Sequence, residues 1–197
     1  MGRVAAAEGV SLLELRDVAV SRRGRTVLEG LSLAVEPGDL LWVRGANGAG
    51  KSSLLRVMAG LLRPGAGEVV AERPFSELVG YLGHRSGFDV MERLDALRGF
   101  WLGEVELAEV LGEAPARGRR FGELSAGQRR KVELMRLHAD GKPLWLLDEP
   151  YASLDAGMSE ALTGRIVRHL ESGGAAVVAS HAGLPPFGRP VRVVEIA

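Results

Sequence analysis

Eight residues, Gly45-Ala46-Asn47-Gly48-Ala49-Gly50-Lys51-Ser52, decide most of what this chain can become. They match G-x-x-x-x-G-K-[ST] in full. A short buried-strand candidate, Leu40–Arg44, precedes them, and an apolar helical pattern runs from about Lys51 to Leu62. Strand, glycine-rich turn and helix in that order make a phosphate cradle. The glycines let backbone N–H groups close around phosphate oxygens, and the helix N-terminus adds the positive end of its dipole. In such a cradle Lys51 reaches the β- and γ-phosphates and Ser52 ligates Mg²⁺, while Ser53 continues the first turn. A bland glycine-rich turn would account for the glycines but not for the Lys-Ser pair between these flanks.

The remaining pattern fits a parallel α/β sheet with additions. Residues 11–35 alternate apolar and polar side chains around a turn at Arg22–Arg25, and read as short strands. Val69–Val70, Val79–Leu82, Leu144–Leu147, Ala175–Ala179 and Val191–Ile196 read as further strands. Helical patterns fall over about Glu92 to His138 and over Ala156–Leu170. Strands alternating with helices indicate a parallel sheet. At 197 residues and 46% hydrophobic, the chain has enough apolar side chains for one domain with a real core.

A second motif supports the first. Pro143-Leu144-Trp145-Leu146-Leu147-Asp148-Glu149 is an apolar strand ending in two carboxylates. Alone, an Asp-Glu pair is usually a solvated turn. At the end of such a strand, Asp148 is expected to hold Mg²⁺ through water and Glu149 to polarise the attacking water. The chain has one Asn, Asn47, and one Gln, Gln128, and only three of its 25 basic residues are Lys. Asn47 and Lys51 sit in the cradle. Gln128 sits in Leu124-Ser125-Ala126-Gly127-Gln128, which taken alone is a helix start with Ser125 as N-cap.

That pentapeptide, placed between the cradle and the acidic strand, resembles the signature motif of ATP-binding-cassette (ABC) ATPases, usually LSGGQ, with Ala126 for the first Gly. Ser153-Leu154-Asp155 resembles the family's D-loop, and His181, directly after a strand, resembles its switch histidine. The resemblance covers nearly the whole chain. It implies an α/β P-loop NTPase core with an N-terminal antiparallel β-subdomain and an inserted α-helical subdomain at about 85–140, all in one nucleotide-binding domain, 1–197. It implies ATP and Mg²⁺ as ligands, with Glu149, His181 and Lys51 as catalytic residues. It also implies a second copy of the chain in a head-to-tail dimer. Ser125, Gly127 and the signature helix dipole of one copy would then face the ATP bound by Gly45 to Ser53 of the other, and Gln128 and Asp155 are further nucleotide-binding residues that the resemblance implies.

Two positions depart from the family pattern. No aromatic residue precedes the second strand to stack on adenine. Arg22 stands there, and a guanidinium can stack on a base, although an exposed charged turn explains it equally well. In the Q-loop place, after Val79-Gly80-Tyr81-Leu82-Gly83, stands His84, either a substitute donor to the γ-phosphate or a half-exposed residue ending a strand. The remaining histidines, His138 and His169, read as surface residues near helix C-termini.

Size and content narrow the class further. The longest apolar runs are a few residues, whereas a membrane-spanning helix needs about 20. Lys+Arg 25 balances Asp+Glu 25, which argues against nucleic acid as a partner. Cys is absent, which excludes thiol catalysis and disulfides. A compact single cassette resembles the energy subunit of a transporter whose channel is another chain. The His84 segment, the aromatic-free Arg22 region and the short length resemble the cytochrome c biogenesis, or haem exporter, branch. That resemblance implies a CcmB-like permease partner, a haem-handling CcmC-like neighbour, and a peripheral place on the cytoplasmic face of the inner membrane. The segment from Arg85 to Trp101 is expected to supply part of the core and a groove for a permease helix. The other readings are the ATPase of a drug, lipid or ion exporter, and a nucleotide-dependent scaffold with little hydrolysis.

Overall fold

The computed structural model describes residues 11–22, 24–83, 119–152 and 154–196. His84, the segment from Arg85 to Trp101, most of the expected helical subdomain and Ser153 lie outside the described residues. The elements are β1 (Leu13–Arg22), β2 (Arg25–Val35), β3 (Leu40–Arg44), α1 (Lys51–Met58), β4 (Ala66–Ala71), α2 (Phe75–Leu78), β5 (Val79–Leu82), α3 (Ala126–Ala139), β6 (Leu144–Asp148), α4 (Ala156–Glu171), β7 (Ala175–Ser180) and β8 (Arg192–Glu195). A single 3-10 turn at Phe121–Glu123 leads into α3. No helix among the described residues is long and apolar enough to cross a membrane.

The strands divide into two sheets. One is antiparallel with order β2-β1-β4, and the other has order β5-β6-β7-β3-β8 with every neighbouring pair parallel. The central strands β6 and β7 are buried at every position. This is why Leu144–Leu147 and Ala175–Ala179 show no alternation: a parallel sheet covered on both faces needs apolar residues on each. The pleat sorts them into two cores. Leu144, Leu146, Ala175, Val177 and Ala179 pack towards α1 and the antiparallel sheet. Trp145, Leu147, Ala176 and Val178 pack towards α3 and α4.

In β1 the alternation slips once. Leu13 and Leu15 are buried, then Val18 and Val20, with a register shift against both neighbouring strands. Asp17 takes a φ of +50° there, and its N–H bonds to the Ser32 hydroxyl oxygen at 2.9 Å. An extra residue in the strand moves the apolar set by one place and returns it to the core.

Helix α1 is shorter than its apolar pattern. It ends at Met58, not near Leu62, because Gly60 turns left-handed at φ +70°, where the Phe75 ring leaves no room for a side chain. Leu61 and Leu62 then donate back to the Arg56 carbonyl.

Candidate functional site

The site lies where β3, β7 and β6, side by side in the sheet, present their carboxyl ends. Arg44 is in register with Ser180, and Asp148 with Ala179. Topology therefore brings the loop after Arg44, the residue after Ser180 and the pair Asp148-Glu149 to one edge. They enclose a cavity of about 390 Å³.

The loop is shaped by contacts only glycine permits. A Cβ on Gly45 would strike the backbone oxygen of Ile196, just past β8. Gly50 has φ +107° and lies against Val27 of β2. Gly50 caps α1 without a side-chain bond, and the first helical turn holds no acid. The first backbone N–H groups of the helix and its dipole thus face the cavity uncompensated, as an anion site requires. Lys51 is buried, and its ammonium donates to the carbonyls of Gly45 at 2.7 Å and Ala46 at 2.9 Å. Asn47, Gly48, Ser52 and Ser53 line the cavity with it. Arg22, at the end of β1, lines the cavity as well.

Opposite the loop stand the carboxylates. Asp148 is 1% exposed, and its Oδ2 has no hydrogen-bond partner among the described residues. A buried carboxylate oxygen without a donor among the described residues, lining the same cavity as Ser52, fits a hard cation. Among the described residues no three His, Asp or Glu side chains gather to complete a metal site. Phosphate oxygens and water would supply further ligands to an ion here, as they commonly do for Mg²⁺. Burial raises the Tyr81 hydroxyl above its ordinary range; Arg56 opposes this in part and the Asp148 charge adds to it.

Glu149 is held from one side. Its backbone is left-handed, φ +48°, and its N–H bonds to the Ala179 carbonyl at 2.9 Å. Its Oε1 accepts from the His181 backbone N–H at 3.0 Å and meets His181 Nδ1 at 2.8 Å. Its Oε2 accepts from the Ser180 hydroxyl at 3.2 Å. An ionised carboxylate requires the proton on Nδ1, which leaves His181 Nε2 directed elsewhere. His181 lines the cavity beside it.

The signature residues are not in this cavity. Ser125 and Gln128 form a reciprocal cap at the start of α3. Gln128 N–H donates to Ser125 Oγ at 3.1 Å, and Ser125 N–H to Gln128 Oε1 at 3.0 Å. Among the described residues nothing lies within 4 Å of a Cβ placed on Gly127. Asp155 caps α4 by accepting from the Met158 N–H at 2.8 Å. Ala46 and Ala49 shape the loop through the Ala49 N–H bond to the Ala46 carbonyl at 3.2 Å.

Sequence reasoning missed two contributors. Ser180 was hidden as the last residue of an apolar strand, although its place beside His181 was a signal. Arg130, whose guanidinium reaches the backbone under Glu149, had no signal among 22 arginines. His169 is not a free surface residue: its ring stacks on Trp145 at 3.9 Å, and its Nε2 faces two carbonyls, Pro143 and Ala175.

A phosphate cradle, a buried acidic strand end and a histidine-braced carboxylate at one edge of a parallel sheet define a nucleotide-binding cassette. Residues 28–152 match the ABC transporter family, and the chain belongs to it. The chain is similar to the cytochrome c biogenesis ATP-binding export protein CcmA of Sphingopyxis alaskensis, 41% identical over 182 residues, covering 88% of this chain and 91% of that one. It is also similar to CcmA of Salmonella typhi, 37% identical over 196 residues, covering 92% and 95%. The fold matches a dimeric ATP-binding cassette solved in a post-hydrolysis state with ADP and phosphate. The TM-score is 0.76 at 21% identity, over 93% of this chain and 96% of that one. A second match is an ATP-binding subunit of an ABC transporter, TM-score 0.74 at 22% identity, over 87% and 80%.

Proposed function

We propose that this chain is the ATP-hydrolysing, energy-coupling subunit of a cytochrome c biogenesis export complex. Hydrolysis rests above all on one observation: Lys51, the Asp148 Oδ2 that has no partner among the described residues and the braced Glu149 carboxylate surround one cavity. The export role rests on the near full-length similarity to CcmA proteins.

The loop N–H groups, Lys51 and Asn47 bind the phosphates of ATP, and Arg22 lies where it can cover the base. Ser52 and Asp148 are the residues that would hold Mg²⁺, which would supply charge neutralisation for the phosphates. Glu149 accepts the proton of the attacking water. His181 and Ser180 fix the direction of that carboxylate, and the imidazole Nε2 is left to contact the γ-phosphate.

The working unit in this reading is a dimer closed by ATP. Gly127 supports it. Glycine in a helix costs about 1 kcal/mol relative to alanine, and no contact among the described residues requires it at this position. The room left there by the described residues suits the approach of a nucleotide held by a second copy. Ser125 Oγ uses a lone pair in the cap and keeps its proton for a phosphate oxygen. The dimer would drive a separate CcmB-like permease, with a CcmC-like haem-handling protein beside it, from the cytoplasmic face of the membrane.

Glu149→Gln is expected to keep ATP binding and lose hydrolysis by roughly 10²–10⁴-fold, the usual contribution of a positioned base. Sedimentation of that variant should show an ATP-dependent dimer, whereas Lys51→Ala should weaken nucleotide binding itself. Native-rate hydrolysis by Glu149→Gln, or a dimer indifferent to ATP, would count against the reading.

A further inference from the structure

Arg130 lies near the start of α3, outside the cavity, with its side chain only 12% exposed. Its Nη2 donates to the carbonyl of Asp148 at 3.1 Å and to that of Glu149 at 3.0 Å. Its Nη1 donates to the carbonyl of Gly83 at 3.2 Å and to Glu133 Oε2, also at 3.2 Å. Glu133 is itself 9% exposed, so the charge is paired in the interior.

Geometry makes these bonds more than packing. The Asp148 carbonyl belongs to the peptide before the Glu149 Cα, and the Glu149 carbonyl to the peptide after it. One planar guanidinium therefore fixes both peptide planes about the left-handed Glu149 backbone. Those two planes set the direction of the Cα–Cβ bond, and through it the carboxylate that His181 and Ser180 brace. The third carbonyl, Gly83, ends the segment running directly into His84. All three sit on a side chain of the helix whose first turn carries the signature residues.

We propose that Arg130 is a positioning residue: it makes the aim of the Glu149 carboxylate depend on the seat of the signature helix. This rests on the reading of Glu149 as the general base. Binding of the signature turn at a partner's nucleotide is thereby transmitted to the hydrolytic carboxylate of its own chain through one side chain. A lysine keeps the charge and the pairing with Glu133, but as a point donor it lacks the fork that reaches both Asp148 and Glu149.

The test uses Arg130→Lys in the full chain, with a second variant, Arg130→Met combined with Glu133→Gln, which removes both interior charges together. Arg130→Lys should lower kcat by about 10-fold or more, because a small misplacement of a reacting group costs rate steeply. KM and the affinity for a non-hydrolysable ATP analogue should stay within about threefold. In the Glu149→Gln background the same change should alter the residual rate by less than about twofold, since no base remains to be aimed. The double variant should show the same split between kcat and affinity. A native kcat for Arg130→Lys, equal losses in kcat and affinity, or an undiminished effect in the Glu149→Gln background overturns the proposal. Native-rate hydrolysis by Glu149→Gln alone overturns the underlying reading of Glu149, and it is recognised separately because Arg130 is unchanged in that chain.

Discussion

Tyr151, two residues after Glu149, shows how one side chain ties the acidic turn to the helix that follows. The Thr163 hydroxyl donates to the Ser159 carbonyl at 2.8 Å, so its oxygen is left to accept, and the Tyr151 hydroxyl at 3.1 Å is the donor. Burial pushes the phenol from 10.0 up to about 12. Between these values the folded chain keeps a proton that the unfolded chain has lost. The contribution to stability is therefore complete below about pH 10 and vanishes as pH rises to about 12. Tyr151→Phe should cost roughly 0.5–1.5 kcal/mol at neutral pH for the lost hydrogen bond. It should also flatten the alkaline limb of the stability curve. Urea titrations of both chains at pH 9 and 11 check this; equal losses in the two chains would remove Tyr151 as the cause.

At the level of elements, the start of α3 serves two ends, and they can be separated. The reciprocal bonds of Ser125 and Gln128 cap the helix, and glutamate satisfies the same cap. A carboxylate in the first turn is also favoured by the helix dipole, by about 0.3–1 kcal/mol. Gln128→Glu should therefore melt slightly higher without nucleotide. The same charge would face a γ-phosphate in an ATP-closed dimer and should weaken that dimer. Melting curves, together with sedimentation of Gln128→Glu in the Glu149→Gln background with ATP, give both readings. A dimer as tight as the parent's would mean that this helix start does not meet nucleotide.

The elements also show what sequence could convey. The cradle was legible because its chemistry is local: Gly50, Lys51 and Ser52 are neighbours in the chain and in space. The apolar run Leu144–Leu147 announced a strand, and it lacks alternation because both its faces are covered. Tertiary events left no such trace. The slip at Asp17 depends on Ser32 in the neighbouring strand, and the early end of α1 depends on Phe75 meeting Gly60. Arg130 looked like any other charge on a helix, because its acceptors are backbone carbonyls that no sequence pattern marks. His169 looked exposed because its partner, Trp145, comes from another element.

Across the whole molecule, the cradle strand β3 is enclosed by strands from the far end of the chain, β7 on one side and β8 on the other. Ile196 seals the arrangement, its N–H bonding to the Arg44 carbonyl at 2.8 Å and its own oxygen lying against Gly45. A chain ending at Pro190 should lose nucleotide affinity by more than about tenfold, because every backbone group of β3 on that side is left without a partner. Titration with a fluorescent ATP analogue decides it, and retained affinity would show that the loop holds its shape without β8.

This closure has a consequence for biosynthesis. Residues 45–52 leave the ribosome well before the strands that flank β3, which begin only at Ala175 and Arg192. The hairpin of β1 and β2 can pair while translation continues; the phosphate cradle has to wait. Until β7 and β8 emerge, the chain carries an apolar strand with open edges, and such edges invite pairing with other chains. A slow or interrupted translation after β3 but before β8 therefore exposes this protein to aggregation for longer than the same pause in the middle of the β1–β2 hairpin.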